Sequence, residues 1–326
     1  MKLKFWLTII PTLLIFLMIF GFSLFGRLEN KSELGFESSS QHAPVAESYF
    51  RDARYFLVEP GKSRVSLWST DLSLAQDGSK LIFLNPDGDI FREQQSPIHY
   101  TAKSGIYRRE RQHLVLEGNV VINDAQSSIR SDNIIYQQKD ELIKARGKVW
   151  TEAINLKTKD KVQIQADALD YKIKTQQGDY TGKVKGLVLR VRPYEDSVKF
   201  ESSRLFMDLP ASLLTLNNDV LLKKQNMTAS AQKGEIFLEN YNKKLKYFAL
   251  YDDVKVDETV KSGGRTFKRQ AFGQKLEGLM SEGRLILTGF PRVLQLRDVI
   301  QGNRIVLREN NEVVEVDDAS TNFEIK

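Results

Sequence analysis

Four stretches of this chain agree with one another at four fixed offsets, and that agreement limits the fold more than any other feature. Aligned on Ala102, Ser131, Ala166 and Ser202, the copies carry Tyr107, Tyr136, Tyr171 and Met207 five residues later. Gly118, Gly147, Gly182 and Asn218 follow at offset sixteen, and Val120, Val149, Val184 and Val220 at offset eighteen. Weaker copies start near Ser69, Ala231, Ala271 and Gly302, some with longer turns. A repeat of this length is one supersecondary unit that cannot bury its apolar face alone and stacks on its neighbours.

Each copy reads as strand, turn and strand. Helical periodicity is absent past about residue 60, and short runs alternate between apolar and polar, separated by Gly, Asn, Asp and Lys clusters. Leu114, Leu116, Gly118, Val120 and Ile122 fall on one face, with Glu117 and Asn119 on the other. Ile143, Ala145, Gly147 and Val149 oppose Lys144, Arg146 and Lys148 in the same way, and Tyr180, Gly182, Val184, Gly186 and Val188 oppose Asp179, Thr181, Lys183 and Lys185. Side chains on a strand alternate faces, so the copies build a wall that is apolar inside and charged outside. The recurring glycine marks a bulge or bend where the sheet curls. The offset of five between small residue and tyrosine breaks the alternation: either a bulge intervenes or the two point to opposite faces. The fold class expected is all-β, an elongated antiparallel array of repeated hairpins.

Ahead of the array, Phe5 to Phe25 is an uncharged run of 21 residues. At about 1.5 Å per residue it spans about 31 Å, against a hydrocarbon core of about 30 Å. It ends in Ser23-Leu24-Phe25-Gly26, bulky where a signal peptidase needs small residues, so an uncleaved anchor is expected. Lys2 and Lys4 precede it and keep the short N-terminus cytoplasmic, although Arg27 and Lys31 pull the other way. The expected organisation is anchor over 1–29, tether and entry strand over 30–60, a first β module over 61–190, and a second, continuous with it, over 191–326.

The repeat, A-x4-Y followed by L-x-G-x-V, resembles the OstA-like β-jellyroll unit of the periplasmic lipopolysaccharide-export proteins of the LptA type. The clearest stretches are Tyr100–Ile122, Ile129–Val149 and Ile164–Val184. With one N-terminal anchor added, the chain is similar to the LptC family, the inner-membrane-anchored branch. The resemblance implies a single-pass inner-membrane protein with its bulk in the periplasm of a Gram-negative cell. It also implies partners: lipopolysaccharide held by its lipid A acyl chains, an inner-membrane ABC transporter that supplies it, and a bridge protein of the LptA type that takes it onward. One jellyroll of this kind needs about half this chain, so a second module stands beyond it.

Within that frame the residues expected to line a lipid groove are Leu114, Leu116, Val120, Ile122, Ile143, Val149, Tyr180, Val184, Leu216 and Val220. An apolar inner wall also serves a core packed shut, and the pattern leaves both uses open: a lipid carrier, or an anchored docking scaffold. Lys103, Arg108, Arg109, Arg111 and Lys183 are basic residues expected near the groove mouth, where they would meet lipid phosphates. The closing strands, residues 304–307, 312–316 and 322–325, form an edge for a partner strand through Val313, Val314, Val316, Phe323 and Ile325.

Chemistry finds little support. The chain has no cysteine and three histidines, His42, His99 and His113, none at metal-ligand spacing. Asp87-Gly88-Asp89 lacks the later ligands of a calcium loop and reads as a hairpin turn, as does Gly263-Gly264. The +6 charge comes from 48 basic and 42 acidic residues spread along the chain, without the dense block of a nucleic-acid-binding tail. No enzyme, cofactor, metal or nucleic-acid partner is expected.

Overall fold

The structure is a computed structural model that describes residues 46–59, 62–92, 96–155, 159–191, 197–238, 246–279, 283–308, 311–318 and 320–322. The predicted anchor, the tether up to residue 45, and Phe323 and Ile325 of the predicted edge lie outside the described residues.

Every regular element described is a strand, and every pairing is antiparallel. The strands are β1 (Ala46–Glu59), β2 (Lys62–Ala75), β3 (Lys80–Leu84), β4 (Asp87–Ile90), β5 (Ile98–Thr101), β6 (Ser104–Arg108), β7 (His113–Asn123), β8 (Ser127–Gln137), β9 (Leu142–Ile154), β10 (Lys161–Lys172) and β11 (Gln177–Leu189). They continue as β12 (Val198–Asp208), β13 (Leu213–Lys224), β14 (Met227–Phe237), β15 (Lys246–Ser262), β16 (Arg265–Leu279), β17 (Arg284–Thr288), β18 (Arg292–Gln295), β19 (Asp298–Gln301), β20 (Arg304–Arg308), β21 (Val314–Asp317) and β22 (Ser320–Asn322). Long strands from β7 to β16 each pair with the next in sequence. Toward each end, rungs are made of two short strands each: β3 with β4 and then β5 with β6 between β2 and β7, and β17 with β18, β20 with β19 and β21 with β22 beyond β16. The sheet is therefore a meander, and β11 pairs with β12 straight across the expected module boundary near residue 190.

The repeat's glycine explains why every long rung breaks in the middle. The register jumps between Glu117 and Val120, where Gly118 and Asn119 together face the single residue Asp132. Gly118 and Asn119 have φ of 79° and 51°, Gly147 and Lys148 80° and 48°, Gly182 and Lys183 77° and 45°. Asn218-Asp219, Asp252-Asp253 and Gly289-Phe290 repeat the same pair of left-handed residues. A two-residue bulge in this conformation turns the strand sharply. Glycine suits the first place for a second reason as well: a Cβ on Gly147 or Gly182 would stand 2.9 or 2.5 Å from the carboxylate of Asp132 or Asp167 on the facing strand. These glycines are corner residues, half-exposed beside outward side chains, and so they differ from the inward position that alternation assigns them.

The corner divides the sheet into two arms. Arm 1 holds half-strands such as His113–Glu117, with β3, β6, β17, β20 and β21; arm 2 holds those such as Val120–Asn123, with β4, β5, β18, β19 and β22. Their inward side chains form one contiguous apolar core from Val65 to Leu307. The corner also accounts for the offset of five. In β8 the buried positions run Ile129, Ser131, Ile134, Tyr136, so the phase shifts by one at Asp132-Asn133 and both Ser131 and Tyr136 point inward. Ser131 Oγ lies within hydrogen-bonding distance of the carbonyls of Asn133, Arg146 and Gly147, at the kink where the register jumps.

Two expectations need correction. The weak copy placed near Ala271 starts two residues later: Gly273 faces Val254 across the ladder, as Ser131 faces Val120, and precedes the Gly289 bulge by sixteen. Asp87-Gly88-Asp89 belongs to strand β4 rather than to a turn, since Gly88 pairs with Tyr100 and tucks against that ring. Gly263-Gly264 is a turn, with both φ positive.

Candidate functional site

The candidate site is the interior between the arms and the mouth along their free ends, opposite the corner. All ten residues expected to line a groove lie there. Leu114, Leu116, Ile143, Tyr180 and Leu216 come from arm 1; Val120, Ile122, Val149, Val184 and Val220 come from arm 2, and each is no more than 3% exposed. They sit on β7, β9, β11 and β13, the strands with the plainest alternation. The facing strands contribute as much: Ile129, Ile164, Leu169, Phe200, Leu205 and Met207 are equally buried. Alternation in β8, β10 and β12 is the signal that would have found them, once shifted by one at the corner.

In this structure the interior is filled by its own side chains. Aromatic rings stand directly across from glycines: Phe83 from Gly105, Phe200 from Gly186 and Phe248 from Gly278. A Cβ on those glycines would meet the rings at 2.2, 2.0 and 2.4 Å. The small inward residues are thus seats for neighbouring rings, an arrangement in which the ring covers the bare backbone.

The mouth carries polar side chains that cross between the arms, and sequence reasoning missed them all. Arg190, at the free end of arm 2, pairs with Asp160 at 2.9 Å; their side chains are 4% and 3% exposed. Its guanidinium also donates to the carbonyls of Phe237 (2.7 Å) and Leu238 (3.2 Å) at the end of arm 1, and lies 4.6 Å over the Tyr247 ring. Asp160 accepts a further bond from the Val191 amide. A second latch follows toward the C-terminus. Arg269 of arm 2 donates to Glu258 (2.6 Å) and to the carbonyls of Arg308 and Asn311 on the arm 1 side, with both charged side chains 1% exposed. Gln295 adds a bond to the Glu312 carbonyl. Toward the N-terminus, Arg92 stands 3.7 Å from Asp124, a partly exposed pair whose members both lie at the free end of arm 2. Burial, followed by the nearby Asp124 carboxylate, pushes the Tyr171 phenol up to about 12.

Of the basic residues expected at the mouth, Lys103 and Lys183 stand at the corner instead, while Arg108, Arg109 and Arg111 flank the β6–β7 turn at the free end of arm 1. His99 lies beside Asp89 at 3.2 Å on β5, and His113 opens β7, where burial and then Arg111 and Arg108 lower its pKa. Among the described residues no group of His, Asp and Glu is disposed to hold a metal.

At the sheet ends, among the described residues, β1 pairs with β2 alone, and β21 and β22 pair with β20 and β19 alone. Val314 and Val316 pack partly on the core, while Val313 is 51% exposed.

A bent antiparallel sheet of repeated hairpins enclosing an apolar interior defines an all-β, jellyroll-like array. The family of lipopolysaccharide-assembly, LptC-related proteins matches residues 12–189, more than half of the chain. The chain belongs to this family, which places it in lipopolysaccharide transport among periplasmic envelope proteins whose role is transport rather than catalysis. The match ends at the last residue of β11, and β12–β22 lie beyond it. Among solved structures, the chain is similar to LptH, the LptA homologous periplasmic component of the lipopolysaccharide transport device from Pseudomonas aeruginosa, at 10% identity, covering 39% of this chain and 95% of that one with a TM-score of 0.34. No curated protein matches the sequence.

Proposed function

We propose that this protein is a membrane-anchored periplasmic carrier: it receives lipopolysaccharide from an inner-membrane ABC transporter, shelters the acyl chains between its arms, and passes them to a bridge protein of the LptA type. The observation that carries this reading is the way the interior is closed. Among the described residues, the arms are joined at the corner by continuous strands, while side-chain bonds from Arg190, Arg269 and Gln295 hold the free ends together. Spreading the arms breaks a few such bonds and leaves the ladders along each arm intact, so a long apolar slot is one hinge motion away. The 21-residue run in residues 5–25 supplies the anchor in this reading, and the edge at Val313, Val314, Val316, Phe323 and Ile325 docks the bridge protein by β-augmentation. The rungs beyond residue 190 lengthen the slot and stand in for part of the bridge.

The filled interior favours a second reading, a docking scaffold with a permanently closed core. A photo-crosslinking residue at Val120 or Val184 separates the two in living cells. A lipopolysaccharide adduct at either position is expected; a well-expressed protein with no adduct at both overturns the carrier.

A further inference from the structure

Two hydroxyls sit where this interior is otherwise apolar. Tyr180, two residues before the bulge of β11, corresponds to Leu116, Ala145 and Leu216 in the other copies. Thr151, four residues after the bulge of β9, corresponds to Ile122, Gly186 and Leu222. Tyr180 is 0% and Thr151 2% exposed. In the ladders Tyr180 lies between Leu169 and Leu205, and Thr151 between Ile164 and Ile129, all buried.

Tyr180 Oη and Thr151 Oγ1 come from opposite arms and lie close enough for the Thr151 hydroxyl to act on the phenol, yet among the described residues neither oxygen has a hydrogen-bond partner of good geometry. Other inward tyrosines do have partners: Tyr100 donates to the Ser66 carbonyl at 2.9 Å and Tyr107 to Gln138 Oε1 at 3.4 Å. Burial pushes the Tyr180 phenol up, with the Thr151 hydroxyl acting the other way, so the phenol keeps its proton and can donate as well as accept. A buried hydroxyl without a partner destabilises the protein, and a ligand group that completes its bonds recovers that loss.

We propose that Tyr180 and Thr151 form an oxygen-recognising point inside the interior, which binds an acyl chain through a hydroxyl or a linkage carbonyl carried on it. This deepens the carrier reading and rests on it: the chain enters between the arms, and the two hydroxyls fix how far. A plain alkyl chain leaves both hydroxyls unpaired and binds more weakly. A chain bearing an oxygen near its head binds in one register, with its remaining methylenes along Ile164, Leu169 and Leu205.

The test uses the full-length protein and three synthetic probes with equal chain lengths. These are a β-hydroxyacyl glucosamine, the acyl glucosamine without the hydroxyl, and an alkyl ether glucoside with neither hydroxyl nor carbonyl. Each displaces a bound environment-sensitive dye. The wild type is expected to prefer an oxygen-bearing probe over the ether by about tenfold, one added buried hydrogen bond's worth. A preference shared by both acyl probes assigns the carbonyl; one confined to the first assigns the chain hydroxyl. The near-isosteric variants Tyr180→Phe and Thr151→Val should lose most of that preference, bind the ether unchanged, and melt no lower than the wild type. A preference retained in both variants overturns the proposal, as does a parallel loss of ether binding. Ether bound without any discrimination by the wild type overturns the proposal and leaves the carrier standing; failure of all three probes to bind overturns both.

Discussion

Replacing Arg190 by Met tests whether the seam is held by the charged latch or by the apolar core alone. Methionine keeps most of the aliphatic stem and its contact with Tyr247 but removes every donor. Asp160, 3% exposed, then keeps the Val191 amide but loses the guanidinium, as do the Phe237 and Leu238 carbonyls. Breaking one side of a buried pair costs about 3–5 kcal/mol, because the remaining charge is stranded out of water. For a domain of this size each kcal/mol lowers the midpoint by about 2–4 °C, so thermal melting should fall on the order of 10 °C. Units in such arrays lose cooperativity with distance, so the loss should be local. Hydrogen exchange should accelerate at Val191, and at Phe237 and Leu238 across the mouth, but hardly at β7. The double variant Arg190→Met/Asp160→Leu should recover much of the loss, giving a coupling of at least ~2 kcal/mol in a double-mutant cycle. Added salt should change little, since a pair this buried is poorly screened. Additive single variants, or a single variant within about 0.5 kcal/mol of wild type, would refute the latch.

At the corner, Gly182→Ala should cost about 1–3 kcal/mol in urea unfolding, since φ is +77° and its Cβ would stand 2.5 Å from Asp167 Oδ2. Inside, Leu116→Asp should cost several kcal/mol or abolish folding, while Glu117→Ala on the outer face should cost about 0.5 kcal/mol or less by the same assay. His113 has its pKa lowered in the folded state, so the unfolded chain takes up the proton first. Its contribution is therefore complete above the unfolded value near 6.5 and lost as pH falls below it, and His113→Gln should flatten that part of the stability curve. Truncation from Asp298 onward should leave β1–β16 folded by circular dichroism and abolish capture of a purified LptA-type bridge protein; undiminished capture moves the docking edge to β1.

The repeat made the array legible because its four offsets are set by the corner: a small inward residue, a tyrosine, a left-handed bulge and the valine after it. What sequence reading lacked was the handedness of that bulge. A strict period of two assigns Gly118, Gly147 and Gly182 inward. Two consecutive left-handed residues turn the chain there and leave all three beside outward side chains. The latches were illegible for a different reason. Asp160 and Arg190 are 30 residues apart, and Arg190 reaches carbonyls 47 and 48 residues away. Each sits at a strand end among other charges and reads as solvated surface until the register places them together. The rings over Gly105, Gly186 and Gly278 likewise depend on cross-strand register, which no single strand's pattern contains.

The corner also explains how the chain extends beyond its family match without a new folding problem. Past residue 189 the bulges carry Asn218-Asp219, Asp252-Asp253 and Gly289-Phe290, residue types that pay more for a left-handed φ than glycine wherever glycine is absent. Asn and Asp tolerate that conformation best among the rest, so the bend survives the loss of glycine in two of three copies. Because the bend survives, arm 1 and arm 2 keep facing each other, and each new hairpin finds the same apolar seat its predecessor offered. The latches Arg190–Asp160 and Arg269–Glu258 both lie in this added half or at its border, and both are drier than Arg92–Asp124 in the matched half. Each also sends its guanidinium across to carbonyls on the arm 1 side, so these described cross-arm bonds fall where the array has been lengthened.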